Sequence, residues 1–288
     1  MSEQALKHFG VTEADLLGAG VQSRAYSLGA DAVLRVFSLE TPLAHLEALD
    51  DFYRGLDTSA VSFKVPCFDE VLQVDGVACV VEARIPGTEL TRFLKAADPD
   101  TRLRALANYM TAASEIQAIG CEAAFHGQVL GDAPVRAESW PAYLSRRVRA
   151  SLEDAPWALD DLKAPAGVLT LFDSLARDRA DAPRRLAHGD YHPGNVLVDG
   201  QGRVTGVIDF SVQAVMGDPL LDLTSAAFFF DDKADRAYAA SQAAGVADFD
   251  EATRLYWLYY SFFYLGTKAT KPALYDLCIR SLNAAVEA

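Results

Sequence analysis

LAHGDYHPGNVLVDGQGRVTGVIDF (Leu186–Phe210) sets a histidine, an aspartate, an asparagine and a second aspartate around a valine-rich ribbon. NVLV and RVTGVID flank Asp199-Gly200-Gln201-Gly202, a run of turn formers, so the ribbon reads as a hairpin. Folding it brings the start of one strand against the end of the other. Asn195 and Asp209 then meet, because cross-strand neighbours lie ~5 Å apart. An amide oxygen beside a carboxylate suits a hard cation such as magnesium. Asp190 stands five residues before Asn195, in a loop containing Pro193 and Gly194. That loop holds a third polar group near the pair without making it a ligand. Asp190 alone would read as an ordinary loop aspartate that caps a turn, and Asn195 alone as a turn residue.

Phosphoryl transfer needs this wiring: magnesium bridges phosphate oxygens, and a carboxylate orients and deprotonates the attacking hydroxyl. The protein-kinase catalytic loop has Asp and Asn at the same offset, followed by a metal-binding Asp-Phe-Gly. Here the chain reads His188-Gly189-Asp190, then Asn195, then Asp209-Phe210-Ser211. Gly189 replaces the kinase arginine and Ser211 the last glycine. HGDYHPGN, VIDF and GDPLLDL (Gly217–Leu223) together resemble the aminoglycoside phosphotransferase family of kinase-like enzymes, over nearly the whole chain. That resemblance implies a bilobal, protein-kinase-like α+β fold with a small β-rich N-lobe (1–83) and a larger, mainly helical C-lobe (84–288). It implies Asp190 as catalytic base and Asn195 and Asp209 as magnesium ligands. The donor would be ATP (or GTP) and the acceptor a small molecule bearing a hydroxyl. His188 is expected to brace the loop backbone and His192 to lie in a surface loop. Asp218 before Pro219 makes a good helix start and is expected to brace the site. Asp222, one turn on, would face the loop or solvent.

The nucleotide end is read from LLGAGVQSRAYSLG, with Gly18 and Gly20 ahead of a hairpin. A kinase glycine loop has its third glycine where Ser23 stands. The resemblance implies that Ser23 meets phosphates through its hydroxyl and the backbone. The next strand should carry a phosphate-binding lysine, and AVLRVF offers Arg35 instead. Arginine is a permanent forked cation, and the exchange is not conservative. Glu47, on the following helix, is the expected ion-pair partner. VVEARIPGTEL resembles a hinge, where adenine would pair with backbone groups near Glu82 and Arg84.

The chain of 288 residues is 51% hydrophobic and 23% charged, a globular composition. Acids outnumber bases 40 to 26, giving a net charge of −14. No basic patch is visible, so neither nucleic acid nor an anionic membrane surface is an expected partner. The acidity is either plain solubility or an acidic cleft for a cationic acceptor, aminoglycoside-like compounds among them. Asp231, Asp232, Asp235, Asp248, Asp250 and Glu251 would supply such a wall. Four scattered cysteines form no CxxC pair, which argues against zinc and fits a reducing compartment. MSEQALKHFG lacks the regions of a signal peptide, and the apolar run Leu255–Gly266 is too short to span a bilayer. A cytoplasmic enzyme is expected.

Runs of β-branched residues between turn signals make the first ~85 residues β-rich. Arg24–Ser38 reads as one hairpin, and VLQVDGVACVVEARI as another, turning at Asp75-Gly76. Leu43, Leu46, Leu49 and Phe52 have helical spacing. Beyond Pro86-Gly87 helices are expected over 101–120, 139–152, 165–180, 218–230, 232–245, 250–267 and 271–286. Two rival readings remain. A protein kinase lacks support, since no Ala-Pro-Glu segment follows and the stretch from Asp209 to Asp218 is short for an activation loop. A nucleotide-binding scaffold without activity draws its support from Arg35.

Overall fold

The computed structural model describes residues 3–20, 23–230 and 232–287. Helix α1 (Glu3–Phe9) leads into strands β1 (Leu16–Ala19), β2 (Ser23–Leu28) and β3 (Ala32–Phe37). After helix α2 (Leu43–Arg54), β4 (Phe68–Val74) and β5 (Val77–Ala83) complete a five-stranded antiparallel sheet ordered β1-β2-β3-β5-β4. Both expected hairpins form. Asp75 and Gly76 take φ of 51° and 78°, the left-handed pair that a two-residue turn between twisted strands requires. Helix α2 buries Leu46, Leu49 and Tyr53, an i, i+3, i+7 stripe.

The second lobe begins with β6 (Thr88–Glu89), α3 (Leu90–Ala96) and α4 (Pro99–Glu115). Asp98 caps α4 through the N–H groups of Asp100 and Thr101, with Pro99 in the first turn. The helix expected over 101–120 therefore starts two residues earlier, and after Glu115 it tightens into a 3-10 turn, Ile116–Ala118. Strands β7 (His126–Gln128) and β8 (Arg136–Ala137) precede helices α5 (Trp140–Asp154), α6 (Ala158–Asp161) and α7 (Pro165–Arg177). Then come β9 (Arg185–Ala187), the hairpin β10 (Val196–Val198) and β11 (Val204–Val207), and β12 (Val215–Gly217). Helices α8 (Leu220–Phe228), α9 (Lys233–Gln242), α10 (Phe249–Phe263) and α11 (Pro272–Ala285) finish the chain. A four-stranded sheet, β8-β7-β12-β9, was not expected from sequence, because strands of two or three residues are too short to show alternation.

The two lobes share a core. Phe37, Leu46, Tyr53 and Phe68 from the first lobe cluster with Val207, Phe210 and Met216 from the second. Burying each such side chain contributes about 1.5–3 kcal/mol. The linker ahead of β4 adds main-chain bonds: the Lys64 N–H donates to Thr205 O, and the Val207 N–H to Lys64 O. The seam between the lobes is thus a continuation of the interior, and a cleft of about 990 Å3 opens along it.

Candidate active site

The loop from His188 to Asn195 crosses the floor of this cleft, and its backbone is tied down from several directions. Buried Asp222 on α8 accepts the His188 N–H at 2.6 Å and the Gly189 N–H at 2.9 Å. Tyr260 on α10 donates to Gly189 O at 3.2 Å, and Ser225 to Tyr191 O at 3.2 Å. His188 accepts the Asp190 N–H on Nδ1 and donates from Nε2 to Ile208 O at 2.9 Å, next to Asp209. His188 is a brace, as expected. Asp222 faces the loop, not solvent. Burial pushes its carboxyl up to about 6, against the opposing pull of His188 and of the two backbone N–H groups.

Gly189 explains one departure from the kinase pattern. Its φ is +75°, and a Cβ there would lie 1.9 Å from Gln213 O. Any side chain would need both a left-handed backbone and a displaced neighbouring strand entry.

The hairpin does what its sequence requires. Val196 pairs with Val207, and the Ile208 N–H donates to Asn195 O at 2.9 Å. Asn195 is 7% exposed and donates its amide N–H to Asp190 O at 3.0 Å, which leaves its amide oxygen for another partner. Asp209 takes φ +68°, an unusual conformation for a residue other than glycine. Phe210 is buried behind it. Its ring lies 4.4 Å from that of His188, and its carbonyl accepts from Tyr53 on α2 at 3.4 Å. Helix α2, the hairpin and the loop are therefore coupled through one aromatic residue.

On the roof, strand register decides which side chains face the cleft. Ala25 pairs with Arg35, and Arg35 with Val80. Ser23 and Glu82 are their diagonal neighbours on the same face. Gly18, Gly20, Ser23, Arg35 and Glu82 all line the cleft, opposite Asp190, Asn195 and Asp209. The Arg35 guanidinium donates to Ser23 Oγ at 3.2 Å and to Asp209 Oδ1 at 3.1 Å. Burial works against its charge, but the carboxylates of Asp209 and Glu82 outweigh it and hold its pKa above the usual value. The Glu82 carboxyl is raised by burial, with Arg35 opposing, and its Oε2 has no hydrogen-bond partner among the described residues.

Three expectations need correction. Glu47 is exposed and does not line the cleft. The buried stripe of α2 turns that position outward, and the carboxylates facing Arg35 are Asp209 and Glu82. The Arg84 N–H is already bonded to Asp31 O at 2.8 Å, and Arg84 lines a smaller cavity of about 320 Å3 instead of the cleft. His192 is not an idle surface residue: it lines the cleft, accepts the Gly194 N–H on Nδ1 at 3.0 Å, and sets Nε2 3.9 Å from Asp190 Oδ2. Burial lowers its pKa against the pull of Asp190, so the ring is neutral near pH 7 with its proton on Nε2.

The expected acidic wall is present only in part: of its members, Asp232 and Asp235 line the cleft. Asp248 pairs with Arg179, and Asp235 with Arg102. Asp250 and Glu251 are exposed on the first turn of α10 and do not line the cleft. Asp231 lies outside the described residues. Asp232, which caps α9, does line it, together with Glu89, Lys95 and Lys271. Asp218 accepts from Arg179 and Tyr256 and from the Leu220 N–H, so it braces the start of α8.

A twisted antiparallel sheet above a helical lobe, with these polar groups gathered on the seam, is the plan of a kinase-like phosphotransferase. The chain belongs to the phosphotransferase enzyme family (APH), whose model matches residues 13–257. By that membership it is a phosphotransferase. No curated protein matches it in sequence. Among solved structures it is similar to ADP-bound aminoglycoside phosphotransferase APH(2'')-Ib, with 16% identity and TM-score 0.62 over 98% of this chain and 96% of that one. It is also similar to APH(2")-IIa in its gentamicin complex, at 13% identity and TM-score 0.65, covering 100% and 96%. Macrolide 2'-phosphotransferase type I aligns at 16% identity and TM-score 0.54, covering 95% and 90%. At these identities the likeness is one of fold.

Proposed function

We propose that the chain moves the γ-phosphoryl group of ATP or GTP to a hydroxyl of a small molecule, with magnesium, and that Asp190 is the base. One observation carries this: Asp190, Asn195, Asp209 and Arg35, drawn from both lobes, line a single cleft. In the reaction a bond forms between the acceptor oxygen and the γ-phosphorus, and the bond from that phosphorus to the β-phosphate oxygen breaks. The acceptor's proton passes to Asp190 and then to solvent, and the nucleoside diphosphate leaves. Arg35 and the glycine turn at Gly18 and Gly20 receive the phosphates, while residues 84–288 carry the loop, the metal pair and the acceptor pocket.

The donor set fits magnesium. Asn195 has its amide oxygen free of the bond made by its nitrogen, and Asp209 has a half-exposed carboxylate. Among the described residues no three His, Cys, Asp or Glu side chains gather to hold a metal by themselves. Magnesium is commonly bound by one or two protein ligands plus substrate phosphates, which is the arrangement these residues allow. When held by Asn195 and Asp209 it would supply positive charge against the phosphates. Calorimetry of ATP binding with and without magnesium tests the pair: Asp209→Ala should abolish the gain in affinity that magnesium brings. An undiminished gain would remove Asp209 from the metal site.

The acceptor class is the finer part of the proposal. A cationic, aminoglycoside-like acceptor is supported by Asp232 and Glu89 on the lining. Lys95 and Lys271 on the same lining favour a second reading, a neutral hydroxyl metabolite. A reducing, cytoplasmic setting belongs to the same proposal: Cys67, Cys79, Cys121 and Cys278 are all free thiols. Among the described residues no helix is long and apolar enough to cross a membrane.

A further inference from the structure

Helix α10 and the 3-10 turn that continues it, Tyr264–Ala269, carry tyrosines at 256, 260 and 264. Residues four apart share one helix face, and the rings of Tyr260 and Tyr264 stack at 6.4 Å. Each hydroxyl reaches a different polar group of the active-site lobe. Tyr256 donates to Asp218 Oδ2 at 2.6 Å, Tyr260 to Gly189 O at 3.2 Å, and Tyr264 to Asp190 Oδ1 at 3.4 Å. The lower two rungs fix the start of α8 and the loop backbone. The top rung touches the side chain that performs the chemistry.

We propose that Tyr264 is a positioning residue for Asp190: it occupies Oδ1, so that Oδ2 is the oxygen presented to the acceptor hydroxyl. The proposal rests on Asp190 being the base. Three features support it. The Tyr264 ring is wedged between Phe229 at 5.8 Å and Phe263 at 5.1 Å, so its hydroxyl has a fixed origin. Tyr264 and Asp190 both line the cleft, so the contact lies where substrate enters. Burial first, and Asp190 second, raise the Tyr264 pKa above its ordinary value, which keeps the hydroxyl a donor at neutral pH. On the other side His192 Nε2, which carries a proton, faces Oδ2 at 3.9 Å. That separation exceeds a direct hydrogen bond, so Oδ2 keeps its accepting capacity. A carboxylate held at one oxygen by this long contact of 3.4 Å is restrained from rotating away from the attacking hydroxyl, and orientation of this kind acts on turnover more than on binding.

The test uses MgATP and the full chain, with water as phosphoryl acceptor and ADP release as the readout. Tyr264→Phe keeps the ring and its packing and removes only the donor. It should lower kcat about tenfold, the effect of one lost hydrogen bond, with KM for MgATP and Tm near wild type. In an Asp190→Asn background the same change should cost little further, because the group it positions is gone. The proposal is overturned if Tyr264→Phe turns over like wild type. It is overturned equally if its loss persists undiminished beside Asp190→Asn, since a structural role would act in either background. Wild-type turnover in Asp190→Asn alone would overturn the phosphoryl-transfer assignment first, and the Tyr264 role with it.

Discussion

Asp222→Asn tests whether the loop hangs from the one buried carboxyl group of Asp222. Both Asp222 oxygens accept main-chain N–H bonds, from His188 at 2.6 Å and from Gly189 at 2.9 Å, and the side chain is 1% exposed. Asparagine has the same shape but must turn an NH2 group toward one of those donors, whichever way it flips. A buried N–H left without an acceptor costs about 1–3 kcal/mol. That is a drop in Tm of a few degrees to about 10 °C. Alanine orphans both amides and should cost about 2–6 kcal/mol, a large part of a typical total of about 5–15 kcal/mol. The pH dependence sharpens the test. Burial raises the Asp222 carboxyl from 3.8 to about 6, so the folded chain holds this proton more tightly than the unfolded one. The stability this provides is complete below about pH 4 and disappears as pH rises through 6. At 1.36 kcal/mol per pKa unit it amounts to about 3 kcal/mol. Urea unfolding of wild type and Asp222→Asn from pH 4 to 8 should show the wild-type margin widest near pH 4 and narrowing upward. A margin that is flat, or grows with pH, would mean that the ionised carboxylate holds the loop, and the reasoning from burial would be refuted.

Arg35→Ala should weaken MgATP binding at least tenfold by calorimetry, and Arg35→Lys less, since lysine keeps the charge but loses the fork that spans Ser23 and Asp209. Unchanged affinity in Arg35→Ala would move the phosphate site elsewhere. Glu47→Ala should leave both affinity and turnover at wild-type values, because Glu47 is exposed and outside the cleft. A loss there would show that α2 swings Glu47 inward when nucleotide binds.

The residues legible in the sequence were those whose geometry is local. Asn195 and Asp209 are joined by a short hairpin, and five residues of loop fix Asp190 beside them, so spacing alone carries the arrangement. The strands that form Arg35's surroundings were legible for the same reason, through two tight turns. Glu47 was misplaced because helical spacing reveals a stripe but not what that stripe docks against. Leu46, Leu49 and Tyr53 go inward, and Glu47 lies roughly a quarter turn away. The tyrosines of α10 were hidden in an unbroken apolar run, where a hydroxyl and a ring look alike as core. The partners of Tyr260 and of Tyr264 in the following turn, Gly189 and Asp190, stand more than 70 residues earlier in the chain. The acidic wall was legible only in part, because net charge says nothing of pairing: Asp232 and Asp235 reach the cleft, but Arg102 and Arg179 pair with Asp235 and Asp248.

Transfer of the γ-phosphoryl from radiolabelled MgATP or MgGTP to a panel of cationic, neutral and anionic hydroxyl compounds tests the central claim most directly, run with wild type and Asp190→Asn side by side. Wild type should label at least one small hydroxyl compound. Asp190→Asn should lose about 10²–10⁴ of that rate, the usual contribution of a general base, with nucleotide affinity preserved. Equal rates in the two proteins would contradict the account at its centre, because the groups gathered in the cleft would then not be the ones that move the phosphoryl group.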